Sequence, residues 1–169
     1  MEFGTTILGL VAIALCIIPF VVMHKSRKKR EQDLIDGLKA VADSYNSDVT
    51  TYDCGMEFSI GISSARNYIF YYKKTDQEVF ELCVPLTAIR KCQVNNVKRS
   101  IKTQAGSQTV IDKLELTFLP KDTSISPSRF EFFNSNEHFQ MNGELLLVRK
   151  WEEIVNKALH ENHMVAVSA

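Results

Sequence analysis

This sequence of 169 residues has few glycines, no closely spaced cysteine pair and no excess of either charge. With seven glycines, it contains neither a glycine-rich phosphate-binding motif nor a G-x-S-x-G nucleophile motif. The 20 Lys and Arg residues are balanced by 20 Asp and Glu residues, which excludes a basic nucleic-acid-binding domain and a disordered polyanion. We therefore expect no nucleic-acid partner and no catalysis by these motifs.

The four cysteines are too scattered for a disulfide scaffold or a C-x-x-C metal site. They are Cys16, Cys54, Cys83 and Cys92. The last three cannot all pair with one another, so we expect buried, reduced thiols, which are typical of a reducing compartment. His160 and His163 are close in sequence but have no thiolate neighbour. The sequence thus predicts no catalytic residue, no metal site and no cofactor.

Residues 3–23 carry no charge and read FGTTILGLVAIALCIIPFVVM. As a helix they span about 32 Å, close to the hydrocarbon thickness of a bilayer. A signal peptide is the alternative, but no Lys or Arg precedes the run and no small-x-small cleavage site follows it. A basic collar follows instead, consisting of Lys25, Arg27, Lys28, Lys29 and Arg30. We therefore predict a transmembrane helix over residues 1–24. Because basic residues stay on the cytoplasmic side, we expect the N-terminus outside and the remaining chain in the cytoplasm.

Residues 25–48 are predicted to hold the basic collar and a short amphipathic helix. Apolar side chains recur at spacings of four, three and four at Leu34, Leu38, Val41 and Tyr45. This spacing places them on one helix face. Gly37 lowers helix stability by about 1 kcal/mol relative to alanine, so we expect the helix to pack against another element.

Beyond residue 49 the pattern changes to the alternation typical of β-strands. Strands are predicted at residues 58–62, 68–72, 79–84, 89–97, 114–118 and 130–132, with a hairpin tip at 105–108 and an irregular connection at 120–128. A long amphipathic helix then begins at Asn142 or Gly143 and carries a stripe formed by Leu147, Trp151, Ile154 and Ala158.

This order of elements predicts an α+β chain. Six or seven antiparallel strands form a barrel or two packed sheets, and the C-terminal helix caps the open side over residues 49–160. Residues 161–169 are predicted to be a flexible tail.

Four stretches of this region resemble bacterial pleckstrin-homology-like domains: FELCVPLTAIRKCQV, LELTFLP, FEFF and GELLLVRKWEEIVNKAL. Together with the predicted anchor and the collar, they are similar to single-pass membrane proteins of the Bacteroidetes type. The resemblance covers residues 50–160 and implies a pleckstrin-homology-like barrel at a bacterial inner membrane that binds protein, lipid or peptide without catalysis. Phosphoinositide-binding members carry several Lys and Arg around the loop between the first two strands. Here that loop, predicted at 63–67, offers only Arg66.

One basic concentration lies within the predicted domain, formed by Arg90, Lys91, Lys98, Arg99 and Lys102. It is a candidate surface for anionic lipid or an acidic partner, and a solvated strand face is the alternative. The sequence therefore favours an adaptor or accessory subunit whose partners are the lipid bilayer and other membrane-protein subunits. A sensor of a small ligand or lipid, or a small enzyme that uses the barrel as a pocket, is the alternative function.

Overall fold

The computed structural model describes residues 25–65, 67–103 and 106–167. The predicted transmembrane helix, Arg66, residues 104–105 at the predicted hairpin tip and the last two residues lie outside the described residues. Within the described ranges, neither helix combines the length and the apolar composition that crossing a membrane requires.

The described residues form an α+β fold with seven antiparallel strands and a C-terminal helix, as predicted. The elements are α1 (25–44), β1 (Val49–Cys54), β2 (Phe58–Ser63), β3 (Tyr68–Lys74), β4 (Val79–Pro85), a 3₁₀ turn (Leu86–Ala88), β5 (Ile89–Thr103), β6 (Gly106–Pro120), β7 (Ser128–Asn134) and α2 (Glu144–Val167). The strands form two sheets, ordered β1-β2-β3-β4 and β5-β6-β7. The main core lies between the sheets and α2, and a second, smaller core lies under α1.

The first strand of the sheet was missed by the sequence analysis. Val49–Cys54 pairs with β2, but its burial does not alternate and a bulge interrupts its register near Val49. The loop between the first two strands is therefore residues 55–57, and the loop at 63–67 connects β2 to β3. The true first loop contains no Lys or Arg in its sequence.

Helix α1 covers the outer face of the first sheet, so β2 is buried on both sides. The side chains of β2 that alternate with its core residues are small. Ser59 donates a hydrogen bond to the Leu34 carbonyl at 2.8 Å, and a Cβ at Gly61 would lie 3.0 Å from Leu38. Small residues on this face let the helix approach the sheet, and burying each leucine contributes about 1.5–3 kcal/mol.

The basic collar belongs to the same helix as the amphipathic segment, since residues 25–44 are continuously helical. The helix packs against another element at Gly37, as expected. The neighbour is the Tyr72 ring, which a Cβ on Gly37 would approach to 2.4 Å. The helix ends at residue 44, and Asn46 in the turn that follows has a left-handed φ of 50°. Asparagine tolerates this conformation better than most residues.

Helix α2 joins the two sheets through buried apolar and polar contacts. Trp151 is fully buried, and its indole N–H donates to the Asp53 carboxylate on β1 at 2.9 Å. Three further buried side chains complete the stripe: Val148, Val155 and Ala158. Leu147 and Ile154, which the sequence analysis placed in this stripe, are only half-buried. The sequence analysis also ended the helix near His160, whereas α2 continues to Val167.

Strands β5 and β6 form the predicted long hairpin, in which the last described pair is Thr103 with Gly106. Each strand has 15 residues, but β7 pairs only with the part of β6 from Lys113 to Phe118. The distal part of the hairpin is therefore a two-stranded ribbon. At about 3.3 Å per residue, the six β5 residues from Lys98 extend about 20 Å.

Candidate binding groove

A groove of about 760 Å³ opens between β4 and the strands β6 and β7. Its apolar wall is formed by Phe80 and Leu82, which lie on one face of β4 with Val84. Only Val84 is buried, whereas Phe80 is 46% exposed and Leu82 is 40% exposed. The core thus stops halfway along β4, and two large apolar side chains face solvent.

Glu131 on β7 is the centre of an ionic network at the opposite wall. Its carboxylate lies 2.7 Å from Lys73 on β3 and 2.7 Å from Lys113 on β6. Lys73 also lies 2.7 Å from Glu137, and the Tyr71 hydroxyl donates to the Glu131 carbonyl at 2.5 Å. These contacts connect the two sheets across the groove.

The ion pairs shift the pKa values of Glu131 and Lys73 in the directions that keep both groups charged. Burial by itself raises the pKa of Glu131, but hydrogen bonds and charges from Lys113 and Lys73 outweigh it and lower the pKa below 4.5. Burial likewise lowers the pKa of Lys73, but Glu131 and Glu137 raise it above 10.5. Burial raises the pKa of Tyr71 well above 10.0, so its hydroxyl stays protonated. The paired groups are therefore held as fixed charges rather than as proton donors or acceptors.

Glu57, Glu137 and His138 form a cluster of metal-ligating types, with one ligand atom of each within 4.8 Å of the others. The sequence analysis missed it because Glu57 and His138 meet only through the packing of two loops. Both carboxylates already have cationic partners, since Arg30 lies 2.7 Å from Glu57 and Lys73 lies 2.7 Å from Glu137. A metal ion at this position meets two fixed positive charges, so the cluster is better described as part of the ion-pair network.

The described cysteines are protonated thiols at neutral pH. Burial and the charges of Glu31 and Asp53 raise the pKa of Cys54 to about 11. Burial raises the pKa of Cys83 to about 11, and that of Cys92 further. Because the thiolate is the nucleophile, these environments oppose covalent catalysis.

The five basic residues of the collar are exposed along the first two turns of α1. Arg30 is anchored to the domain through Glu57. Arg27 and Arg30 also border a second groove, of about 860 Å³, between α1 and the start of α2. That groove contains Glu31 and Glu144 as well, so its charges balance.

The basic concentration on β5 is divided by the length of the strand. Arg90 and Lys91 are exposed at its start, whereas Lys98 and Arg99 are exposed about seven residues later, roughly 23 Å away. Arg99 pairs with Asp112 at 3.3 Å, and the Lys102 backbone pairs with Ser107. The structure therefore brings these residues together as two small groups rather than one patch.

Neither a protein-family model, nor a curated protein, nor a solved structure matches this chain. The resemblance to pleckstrin-homology-like domains stays a hypothesis.

Proposed function

We propose that this chain is a non-catalytic interaction module, held at the cytoplasmic face of a bacterial inner membrane as an adaptor or accessory subunit of a membrane assembly. The observation that carries the proposal is the apolar wall of the groove. Phe80 and Leu82 stay exposed on a regular strand, and Val79 on the opposite face of the same strand is 52% exposed. Clustered apolar side chains at a sheet edge are a typical feature of protein-binding surfaces.

The number and order of the elements support a pleckstrin-homology-like assignment. Sheets of four and three antiparallel strands, followed by one C-terminal helix, match the architecture that the sequence resemblance implies. Folds of this kind carry many functions, so the assignment supports binding without naming a ligand.

The packing of α1 supports a fixed position of the domain at a membrane. Leu34 and Leu38 are almost completely buried against the sheet, and Arg30 is paired with Glu57. The collar is therefore joined to the domain by a rigid helix rather than by a flexible linker. Each exposed basic residue near an anionic leaflet contributes about 1 kcal/mol of attraction.

A small-ligand sensor is the second candidate, because the groove volume of about 760 Å³ falls within the range of small-molecule sites. Its polar wall consists largely of side chains paired with each other, such as Lys73 with Glu131. A polar ligand must compete with these pairs, and this favours the protein-binding hypothesis.

The test is co-purification of the full-length chain from native membranes in mild detergent. We expect a stoichiometric protein partner with the wild type, and its loss from a Phe80→Ser/Leu82→Ser double variant. Ile125→Ser is the matched control, because Ile125 is 56% exposed in the loop between β6 and β7 and does not border the groove. A monomer without a partner contradicts the adaptor role.

The membrane orientation has a separate test. A reporter fused after Arg30 should read cytoplasmic, because five positive charges follow the apolar segment and none precedes it. A periplasmic signal from the intact chain contradicts this orientation.

A further inference from the structure

The four edge strands of the two sheets differ in how well they are protected. On β5, the Asn156 side chain bonds to both the N–H and the carbonyl of Cys92, at 3.1 and 2.9 Å. Glu152 accepts from the Val94 N–H at 2.9 Å, and on β7 the Glu131 carbonyl accepts from Tyr71. Side chains thus occupy edge groups of β5 and β7 that another strand would need.

The remaining edges, β1 and β4, differ in the regularity of their pairing and in the polarity of their exposed side chains. β1 contains a bulge and exposes the polar residues Thr50 and Thr51. β4 pairs with β3 in an uninterrupted register over seven residues, and its exposed side chains are largely apolar. A regular, apolar edge is the form that accepts an added strand, whereas bulges and polar residues discourage it.

The register identifies the backbone groups of β4 that face outward. The Thr75 N–H donates to the Glu78 carbonyl, and the Leu86 N–H donates to the Asn67 carbonyl. In an antiparallel ladder, bonded and non-bonded pairs alternate, so Phe80, Leu82 and Val84 bond to β3. The N–H and carbonyl groups of the intervening residues Val79, Glu81 and Cys83 point away from the sheet.

The charge along this edge is negative. Asp76, Glu78 and Glu81 are exposed, and none of them has an ion-pair partner among the described residues. A second copy of β4 would bring the same acidic residues to the edge, and like charges on neighbouring strands are destabilising. A basic segment has the complementary charge.

We propose that β4 binds an extended segment of a partner protein, in which apolar and basic residues alternate, as a fifth strand of the first sheet. The partner's apolar side chains lie beside Phe80 and Leu82 in the groove, and its basic side chains lie on the other face beside Glu81. The backbone groups of Val79, Glu81 and Cys83 supply the hydrogen bonds. This inference rests on the proposed interaction function and specifies the chemistry of the partner.

The test measures the binding of labelled synthetic peptides to the full-length chain in detergent, by fluorescence anisotropy at physiological salt. The probe is a peptide of about nine residues with alternating valine and lysine. Two comparison peptides have the same valines and lysines in separate blocks, or glutamate in place of lysine. We expect the alternating valine–lysine peptide to bind about tenfold more tightly than either. Equal binding of the block peptide indicates charge attraction alone and overturns the proposal.

N-methylated peptides test the backbone hydrogen bonds without changing the protein. One peptide carries a methyl group on every valine nitrogen, and another on every lysine nitrogen. Only alternate N–H groups of an added strand face its neighbour, so one peptide should lose binding about tenfold and the other should keep it. Equal binding of both contradicts strand addition.

Proline variants test the edge itself. Val79→Pro removes an outward N–H from β4, at a kind of position where edge strands tolerate proline, and should weaken binding about tenfold. Tyr52→Pro is the matched control on β1, where the ladder also turns the N–H outward, and should bind as the wild type does. Val79→Ala controls for the loss of the side chain. Equal weakening by both proline variants overturns the proposal.

A charge-reversal variant keeps the test valid if Val79→Pro lowers the melting temperature. Glu81→Lys changes only an exposed side chain and should shift the preference from the valine–lysine toward the valine–glutamate peptide. An unchanged preference overturns the proposal. Peptide binding without a co-purifying partner contradicts the adaptor role alone, whereas a partner without peptide binding contradicts the β4 inference alone.

Discussion

Trp151 is the side chain through which α2 is expected to hold the fold together. It is the largest fully buried side chain, and its N–H bonds to Asp53 on β1 while its ring lies in the main core. Replacing a buried tryptophan by alanine costs about 3–5 kcal/mol. Because whole domains are stable by about 5–15 kcal/mol, Trp151→Ala should remove a large share of the stability.

A milder variant separates the hydrogen bond from the packing. Trp151→Phe keeps most of the apolar volume but removes the indole N–H. The Asp53 carboxylate keeps its contact with Lys150 at 2.7 Å, so it does not become an unpaired buried charge. We expect a loss of about 1–2 kcal/mol, which is the usual contribution of a hydrogen bond to a charged acceptor.

The assay is urea unfolding of a chain that begins at residue 25, with circular dichroism as the readout. Fluorescence does not serve, because Trp151 is the only tryptophan and the variants lose it. Leu146→Ala on the same helix is the control, since Leu146 is 76% exposed and its loss should change the free energy of unfolding by less than about 0.5 kcal/mol. A cost below about 1 kcal/mol for Trp151→Ala would refute docking of α2 through this residue.

Three further predictions concern α1, the ionic network and the basic groups of β5. Leu38→Ala should cost about 2–5 kcal/mol in the same unfolding assay, because Leu38 is 1% exposed between α1 and the first sheet. The lowered pKa of Glu131 stabilises the fold above pH 4.5, and this stabilisation is lost as the pH falls through the folded-state pKa. The free energy of unfolding should therefore fall less steeply with decreasing pH in Glu131→Gln than in the wild type. An unchanged pH dependence contradicts this. In vesicle co-sedimentation, residues 31–169 should bind anionic lipid weakly or not at all, because they carry 15 basic and 19 acidic residues. Strong binding that charge reversal of Arg90 and Arg99 abolishes contradicts this expectation.

The fold class was predictable because the core positions repeat with the period of their element. Phe58, Ile60 and Ile62 alternate with small residues, and this pattern located β2 directly. Trp151 was placed correctly in the buried stripe of α2, since a large apolar residue on an amphipathic helix faces the core. These signals are local, so a single sequence contains them.

The candidate site was not predictable, because it depends on which elements become neighbours. Ser59 and Gly61 look like the solvent face of β2, yet α1 covers them. Phe80 and Leu82 look like core residues, yet nothing in the described part of the chain covers them completely. The contact between Lys73 and Glu131 joins residues that are 58 positions apart. Burial and pairing at such distances follow from tertiary packing and not from local pattern.

Because α2 follows both sheets in the sequence, the edge groups that it covers are protected only after the sheets have been synthesised. The Asp53–Trp151 contact spans 98 residues, so both sheets leave the ribosome before the helix that closes them. At about 5–20 residues per second, the 24 residues of α2 follow over roughly one to five seconds. During that interval the β5 groups later bonded to Asn156 and Glu152 are open to other strands. Nascent chains that stop before Glu144 should therefore aggregate or depend on chaperones, whereas chains that lose only residues beyond Ala158 should fold.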